Sequence, residues 1–207
     1  MELEELEELE ELEELEERYL TGDDSTRLAG LLSCAAECKE VDYKSAVMFQ
    51  EGTDFAAKLV KHVVGLANSG GGYLVIGYRE ETDGRLAPDP DLTDEIAASY
   101  EVTRFCQYVY RYLSGQDRLK VIIYKEDFGG VIYPIMRIHP FRECPFVCTK
   151  EYYMQSGKGD SILRKGHVYI RTESANTIAL MTVNVDALPE WQQLIREAGR
   201  VWRKTRP

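Results

Sequence analysis

The chain has 207 residues, enough to bury one good core, so one domain with an appendage is the expectation. Its formal net charge of −11 is unevenly placed: residues 2–17 hold eleven Glu and no Lys or Arg, and the remainder carries 25 acidic and 25 basic residues, so a nucleic-acid site would have to be a local basic patch. No run approaches the roughly 18 apolar residues that span a bilayer, the acidic N-terminus is unlike a signal peptide, and five Cys with three His suit a reduced, cytoplasmic protein.

Residues 1–22 repeat Leu-Glu-Glu, with Leu3, Leu6, Leu9, Leu12 and Leu15 at every third position. A three-residue step turns a helix by about 300°, so the Leu row drifts by about 60° per repeat and forms neither a stripe nor a heptad seam. Leu and Glu favour helix, while Glu stacked at i,i+3 and i,i+4 repel. This leader reads as a helical extension without chemistry, engineered or of low complexity. A self-associating or DNA-mimicking arm is the alternative. The domain expectation is 1–22 for the leader and 23–207 for the body.

In chain order, Asp24-Ser25 caps a helix to about residue 32, and 40–44 reads as a strand. Thr53-Asp54 opens a second helix with Phe55, Leu59, Val60, Val63, Val64 and Ala67 at helical spacing. Asn68 to Gly72 is a turn, 73–78 an apolar strand and 79–91 a polar loop. Residues 93–113 read as one helix. Strands at 119–124 and 132–138 flank Gly129-Gly130 as a hairpin. Short strands follow at 145–149 and 167–171, separated by a Gly- and Lys-containing loop over 150–165, and 189–204 closes the chain as a helix. The fold class is α+β: one mostly antiparallel sheet with packed helices.

Chemistry-bearing residues concentrate around the first strand. Glu37 and Asp42 stand five apart, and Lys44 shares a strand face with Asp42 because the strand period is two. Paired carboxylates hold divalent cations, and a nearby Lys offsets charge on a phosphoryl group. Asn68 with Gly70-Gly71-Gly72 suggests a phosphate cradle or a plain helix C-cap. The order helix-glycines-strand is the reverse of a dinucleotide or Walker loop. Basic candidates for nucleic acid are Lys39, Lys44, Lys150, Lys158, Arg164, Lys165 and Arg171, with Tyr152 and Tyr153 interleaved for stacking on unpaired bases. His62 and His139 read as structural, and Cys34/Cys38 and Cys144/Cys148 as incidental thiols.

Three of these pieces carry a family resemblance: Glu37 with Val41-Asp42-Tyr43-Lys44, Ala67-Asn68 with Gly71-Gly72 and Gly77, and His167-Val-Tyr-Ile-Arg171 followed by Ser174. In this order they resemble the Schlafen-type AlbA-like domain, a DNA-binding or Schlafen core domain, over about residues 30–182. The resemblance implies nucleic-acid binding. From its endoribonuclease members it implies a metal-dependent endonuclease acting on structured RNA such as tRNA, with Mg²⁺ or Mn²⁺ held by Glu37, Asp42 and a third acid after the Gly-ended strand. Glu80 is that third acid here, with Glu81 and Asp83 in reserve, and Lys44 completes the catalytic set. Asp42 stands where Glu is usual, Arg79 where an acid is common and Glu173 where Gly is common. A non-catalytic DNA-binding or regulatory module and an oligomerising scaffold are the other readings. The family often pairs two lobes around its ligand, so a homodimer is expected.

Overall fold

The computed structural model describes residues 24–114, 119–142, 144–155, 159–180 and 194–196. The leader 1–22, Lys158 and most of the helix expected at 189–204 lie outside them, although 194–196 are helical. The chain divides into two units, Met1–Ala36 and Glu37–Pro207. The first contains α1 (Asp24–Ser33), whose Leu28, Leu31 and Leu32 recur at helical spacing.

The second unit is built on a four-stranded sheet in the order β1-β2-β6-β5, comprising β1 (Val41–Lys44), β2 (Gly72–Ile76), β5 (Val121–Phe128) and β6 (Val131–Ile138). Only β1 and β2 run parallel, and the helix between them is the long crossover that a parallel pair needs. The other pairings are antiparallel, and β5–β6 is the hairpin expected around Gly129-Gly130.

The connecting helix α2 (Asp54–Asn68) starts where the Thr53 hydroxyl accepts the Ala56 N–H at 3.2 Å. Its Ala56, Ala57, Leu59, Val60, Val63, Val64, Leu66 and Ala67 are all buried. A helix apolar on nearly every side must be covered on nearly every side. One side meets the sheet at β2 and β6. The other meets β8 (Ser161–Leu163), β9 (Val168–Arg171) and β10 (Thr177–Leu180). Leu74, Ile76, Met136 and Ile138 from the sheet and Leu163, Tyr169, Ile170 and Leu180 from the outer strands share one core with it.

Gly72 starts β2 with φ of +152°, and a Cβ there would lie 2.2 Å from the Glu40 carbonyl oxygen, which accepts the next N–H, that of Tyr73. Only glycine permits the approach that opens the parallel pairing.

Four expectations are corrected. The strand at 73–78 breaks at Gly77, and the chain re-enters as β3 (Tyr78–Glu80), hairpinned to β4 (Leu86–Pro88) across the supposed loop. The single helix at 93–113 is two, α3 (Asp94–Ser99) and α4 (Val102–Tyr110). Glu101 restarts it by accepting the Thr103 and Arg104 N–H groups, while the Tyr100 hydroxyl is drawn to the Val47 carbonyl. The 150–165 loop contains a hairpin of β7 (Tyr152–Tyr153) with β8. The strand at 145–149 reduces to one bridge between Leu113 and Cys148. β10, not foreseen as a strand, pairs antiparallel with β9. The turn joining them takes its left-handed residue at Ala175 (φ 57°), not at Glu173.

Candidate functional site

Asp42 lies mid-strand in β1, only 1% exposed, so its charge must be compensated from inside. Lys44 Nζ, two residues on and on the same face, sits 2.6 Å from Oδ1. His62 Nδ1, from α2, is 2.7 Å from Oδ2 and 3.2 Å from the Thr177 hydroxyl of β10. The Arg171 guanidinium, from the end of β9 and 1% exposed, lies 3.5 Å from Oδ1, and its Nη2 donates to the carbonyls of Cys38 (3.2 Å) and Val41 (3.0 Å). One carboxylate thus joins the first strand, the central helix and the outer β-layer. Burial alone would push the Asp42 carboxyl up, but His62, Lys44 and Arg171 outweigh it and hold it well below the usual carboxylate range. Burial pushes the His62 imidazole below its ordinary value despite the carboxylate.

Glu37 adjoins this cluster. It accepts the Tyr43 N–H at 3.2 Å. Burial and the neighbouring Asp42 carboxylate push its own carboxyl up. The expected pair of acids therefore does come together, with the Asp42 carboxyl shifted down and the Glu37 carboxyl shifted up.

The third acid does not join them. Glu80 lies on β3, exposed and opposite Leu86. Its reserves are engaged locally, Glu81 with Arg79 (3.1 Å) and Asp83 with Arg85 (2.6 Å). Among the described residues no three His, Cys, Asp or Glu side chains are grouped to hold a metal ion. The oxygens of Asp42 face an ammonium, an imidazole and a guanidinium, and Glu37 accepts the Tyr43 N–H. This donor set does not fit Mg²⁺ or Mn²⁺, which need several ionised oxygens converging on one point.

Two expected nucleic-acid contacts prove structural. Asn68 is buried at the end of α2. Its Nδ2 donates to the carbonyls of Phe146 (3.0 Å) and Tyr169 (2.9 Å), and its Oδ1 accepts the Phe146 N–H (2.7 Å). Those bonds use the side chain to staple the helix end to two other segments, and leave nothing for a phosphate. Arg171 is consumed as described above. Lys39 is at the surface but paired with Glu173 at 2.6 Å. Lys44 is paired with Asp42.

The remaining basic candidates gather around the β7–β8 hairpin. Lys150 precedes β7, and Arg164 and Lys165 follow β8; all three are exposed. Among the described residues none of them has an ion-pair partner. Tyr153, on β7 and 56% exposed, donates its hydroxyl to Glu151 (2.7 Å). The hairpin is anchored through Tyr152, whose hydroxyl donates to the Gly52 carbonyl at 2.6 Å, and through Gln155, whose Nε2 donates to the same oxygen at 2.6 Å.

His62 was visible in the sequence only as a helical histidine. Its partner Asp42 lies twenty residues upstream on another element, and no local spacing announces the pairing.

The chain resembles known proteins in two ways. A family model described as Schlafen, AlbA_2 matches residues 37–179, which begins at Glu37 and ends within β10. Among solved structures, the DIP2311 protein from Corynebacterium diphtheriae is similar at 16% identity and a TM-score of 0.45, over 74% of this chain and 25% of that one. The chain thus spans about a quarter of that protein's length. The N-terminal domain of a RecG-related protein from Nitrosomonas europaea is similar at 19% identity and a TM-score of 0.41, over 69% of this chain and 88% of that one. No curated protein matches the chain. No helix among the described residues is long and apolar enough to cross a membrane. With the acid, glycine and closing-strand elements all inside the matched span, the chain belongs to the Schlafen AlbA_2 family.

Proposed function

We propose that this chain is a nucleic-acid-binding domain that holds its ligand at the β7–β8 hairpin and works without a metal-dependent cleavage step. The observation that carries the reading is the exposed Tyr153 on a hairpin pinned to Gly52, with the exposed Lys150, Arg164 and Lys165 at the hairpin's two chain ends. An aromatic face flanked by cations suits unpaired bases on a charged backbone. Single-stranded loops and ends of a structured RNA such as tRNA offer both, so RNA is the favoured ligand and DNA the second. The Asp42 cluster serves in this reading as the internal brace of the domain. Two copies lining one groove would form the homodimer, which light scattering checks.

The test is titration of labelled tRNA, single-stranded DNA and duplex DNA by fluorescence anisotropy, with Mg²⁺, with Mn²⁺ and with chelator, while the same samples are run on denaturing gels. Salt-sensitive binding with intact ligand, equal in chelator and weakened by Tyr153→Ala, is the expected result. Cleavage that disappears with chelator and in Glu37→Gln would replace it with the endoribonuclease reading. Absence of any salt-dependent affinity would leave an interaction scaffold.

A further inference from the structure

Arg104 on α4 and Arg111 at its C-cap, still in helical conformation, stand seven residues apart, which returns them to the same face. Both side chains are half exposed, at 50% and 52%. Each guanidinium is seated on a buried ring, Arg104 at 5.7 Å from the centre of Phe49 and Arg111 at 5.9 Å from that of Tyr108. Those two rings pack edge-on at 5.8 Å, so both cations rest on one rigid aromatic base. Between them lies a single carboxylate. Glu51 Oε2 is 2.6 Å from Arg111 Nη1 and Oε1 is 3.5 Å from Arg104 Nε. One acid bridging two guanidiniums leaves a surplus positive charge, and the bridge it makes is the one a phosphodiester makes with its two free oxygens.

This group is continuous with the hairpin. Gly52, the residue after Glu51, donates its N–H to the Tyr108 hydroxyl at 3.4 Å, and its carbonyl accepts from Tyr152 and Gln155 at 2.6 Å each. The Asp54 carboxylate accepts the Gln155 N–H at 3.0 Å. From Arg111 to Tyr153 the surface runs through residues that are bonded to one another or adjacent in the chain.

We infer that Arg104 and Arg111 form a second phosphate-binding point on the path of a bound single strand, and that Glu51 is the internal counter-ion which the phosphate displaces. This rests on the nucleic-acid reading above and adds the course of the ligand across the surface. The bridge is open to solvent on its arginine side, at 50% and 52% exposure against 27% for Glu51, so exchange of the carboxylate for a phosphate costs little. The ring-seated guanidiniums do not have to be ordered by the ligand.

The experiment uses the full chain and two probes, labelled tRNA and an oligo(U) of roughly twelve nucleotides, titrated between about 50 and about 200 mM NaCl. Arg104→Ala/Arg111→Ala should weaken binding about tenfold and flatten the slope of log affinity against log salt by about 0.7, the share of the one phosphate that the pair holds. Arg104→Lys/Arg111→Lys should keep most of the slope. Glu51→Gln should tighten binding severalfold, an outcome that no loss of folding could mimic. Thermal melts of each variant accompany the titrations. If the double alanine variant binds with wild-type affinity and slope while Tyr153→Ala weakens binding, the second point is overturned and the hairpin reading stands. If Glu51→Gln leaves affinity unchanged or lowers it, the counter-ion role is overturned. If the wild type binds neither probe, the hairpin reading falls and the inference falls with it.

Discussion

A carboxylate as enclosed as Asp42 is held in place by what surrounds it, and removing it strands its partners. Asp42→Ala leaves the buried Arg171 guanidinium and the Lys44 ammonium without their anion. Breaking a buried pair this way costs about 3–5 kcal/mol, so a large fall in the urea midpoint is expected, and a lost activity in that variant would report unfolding. Asn68→Ala removes an amide with three buried bonds and should cost about 2–4 kcal/mol in the same assay. Tyr153→Ala removes an exposed ring and should leave the melting temperature within a degree or so, yet weaken binding of unpaired RNA by about five- to a hundredfold. The acids and Lys44 were legible as a group because the strand period places 42 and 44 together. His62 and Arg171 were not, since they reach Asp42 from α2 and from β9 through tertiary packing alone. Residue type alone does not distinguish the basic candidates, and burial separates Arg171 from the exposed Arg164 and Lys165.

At the scale of elements, regular periodicity was readable wherever it ran long enough. β6, β9 and α2 fall where the apolar spacing put them, while β5 starts two residues later than the strand expected at 119–124 and runs on to Phe128. The β7–β8 hairpin escaped because a two-residue strand has no period and its Gly- and Lys-containing surroundings look like a loop. The break between α3 and α4 escaped because Glu101 acts as cap only once Tyr100 is pulled toward Val47. Turn chemistry gives two tests. Ala175 holds a left-handed φ of 57°, so Ala175→Gly should stabilise by about 0.5–1 kcal/mol, seen as a raised urea midpoint. Gly72→Ala should do the reverse by more than this, since its Cβ would meet the Glu40 carbonyl at 2.2 Å.

At the scale of the molecule, the charge cluster sets the response to acid. The Asp42 carboxyl is lowered in the folded state, so its contribution is fully present above the unfolded carboxylate range and is lost as pH falls through the depressed value. Glu37, raised in the folded state, acts oppositely: its contribution is present at low pH and is lost as pH rises through the folded value. Urea midpoints measured from about pH 7 to about pH 2 should therefore fall more steeply in Glu37→Gln than in wild type, because the opposing group is gone.

The Arg171 tie has a consequence for biosynthesis. The residue that binds the Val41 carbonyl is made 130 residues after it. At 5–20 residues per second that is a wait of roughly 6–26 s. Through that interval the first strand emerges with its acid but without the guanidinium, and a nascent chain stopped before residue 171 lacks its long-range counter-charge. β9 thus acts as a completeness signal, and products truncated before it should be cleared faster by cellular proteases than full-length chains.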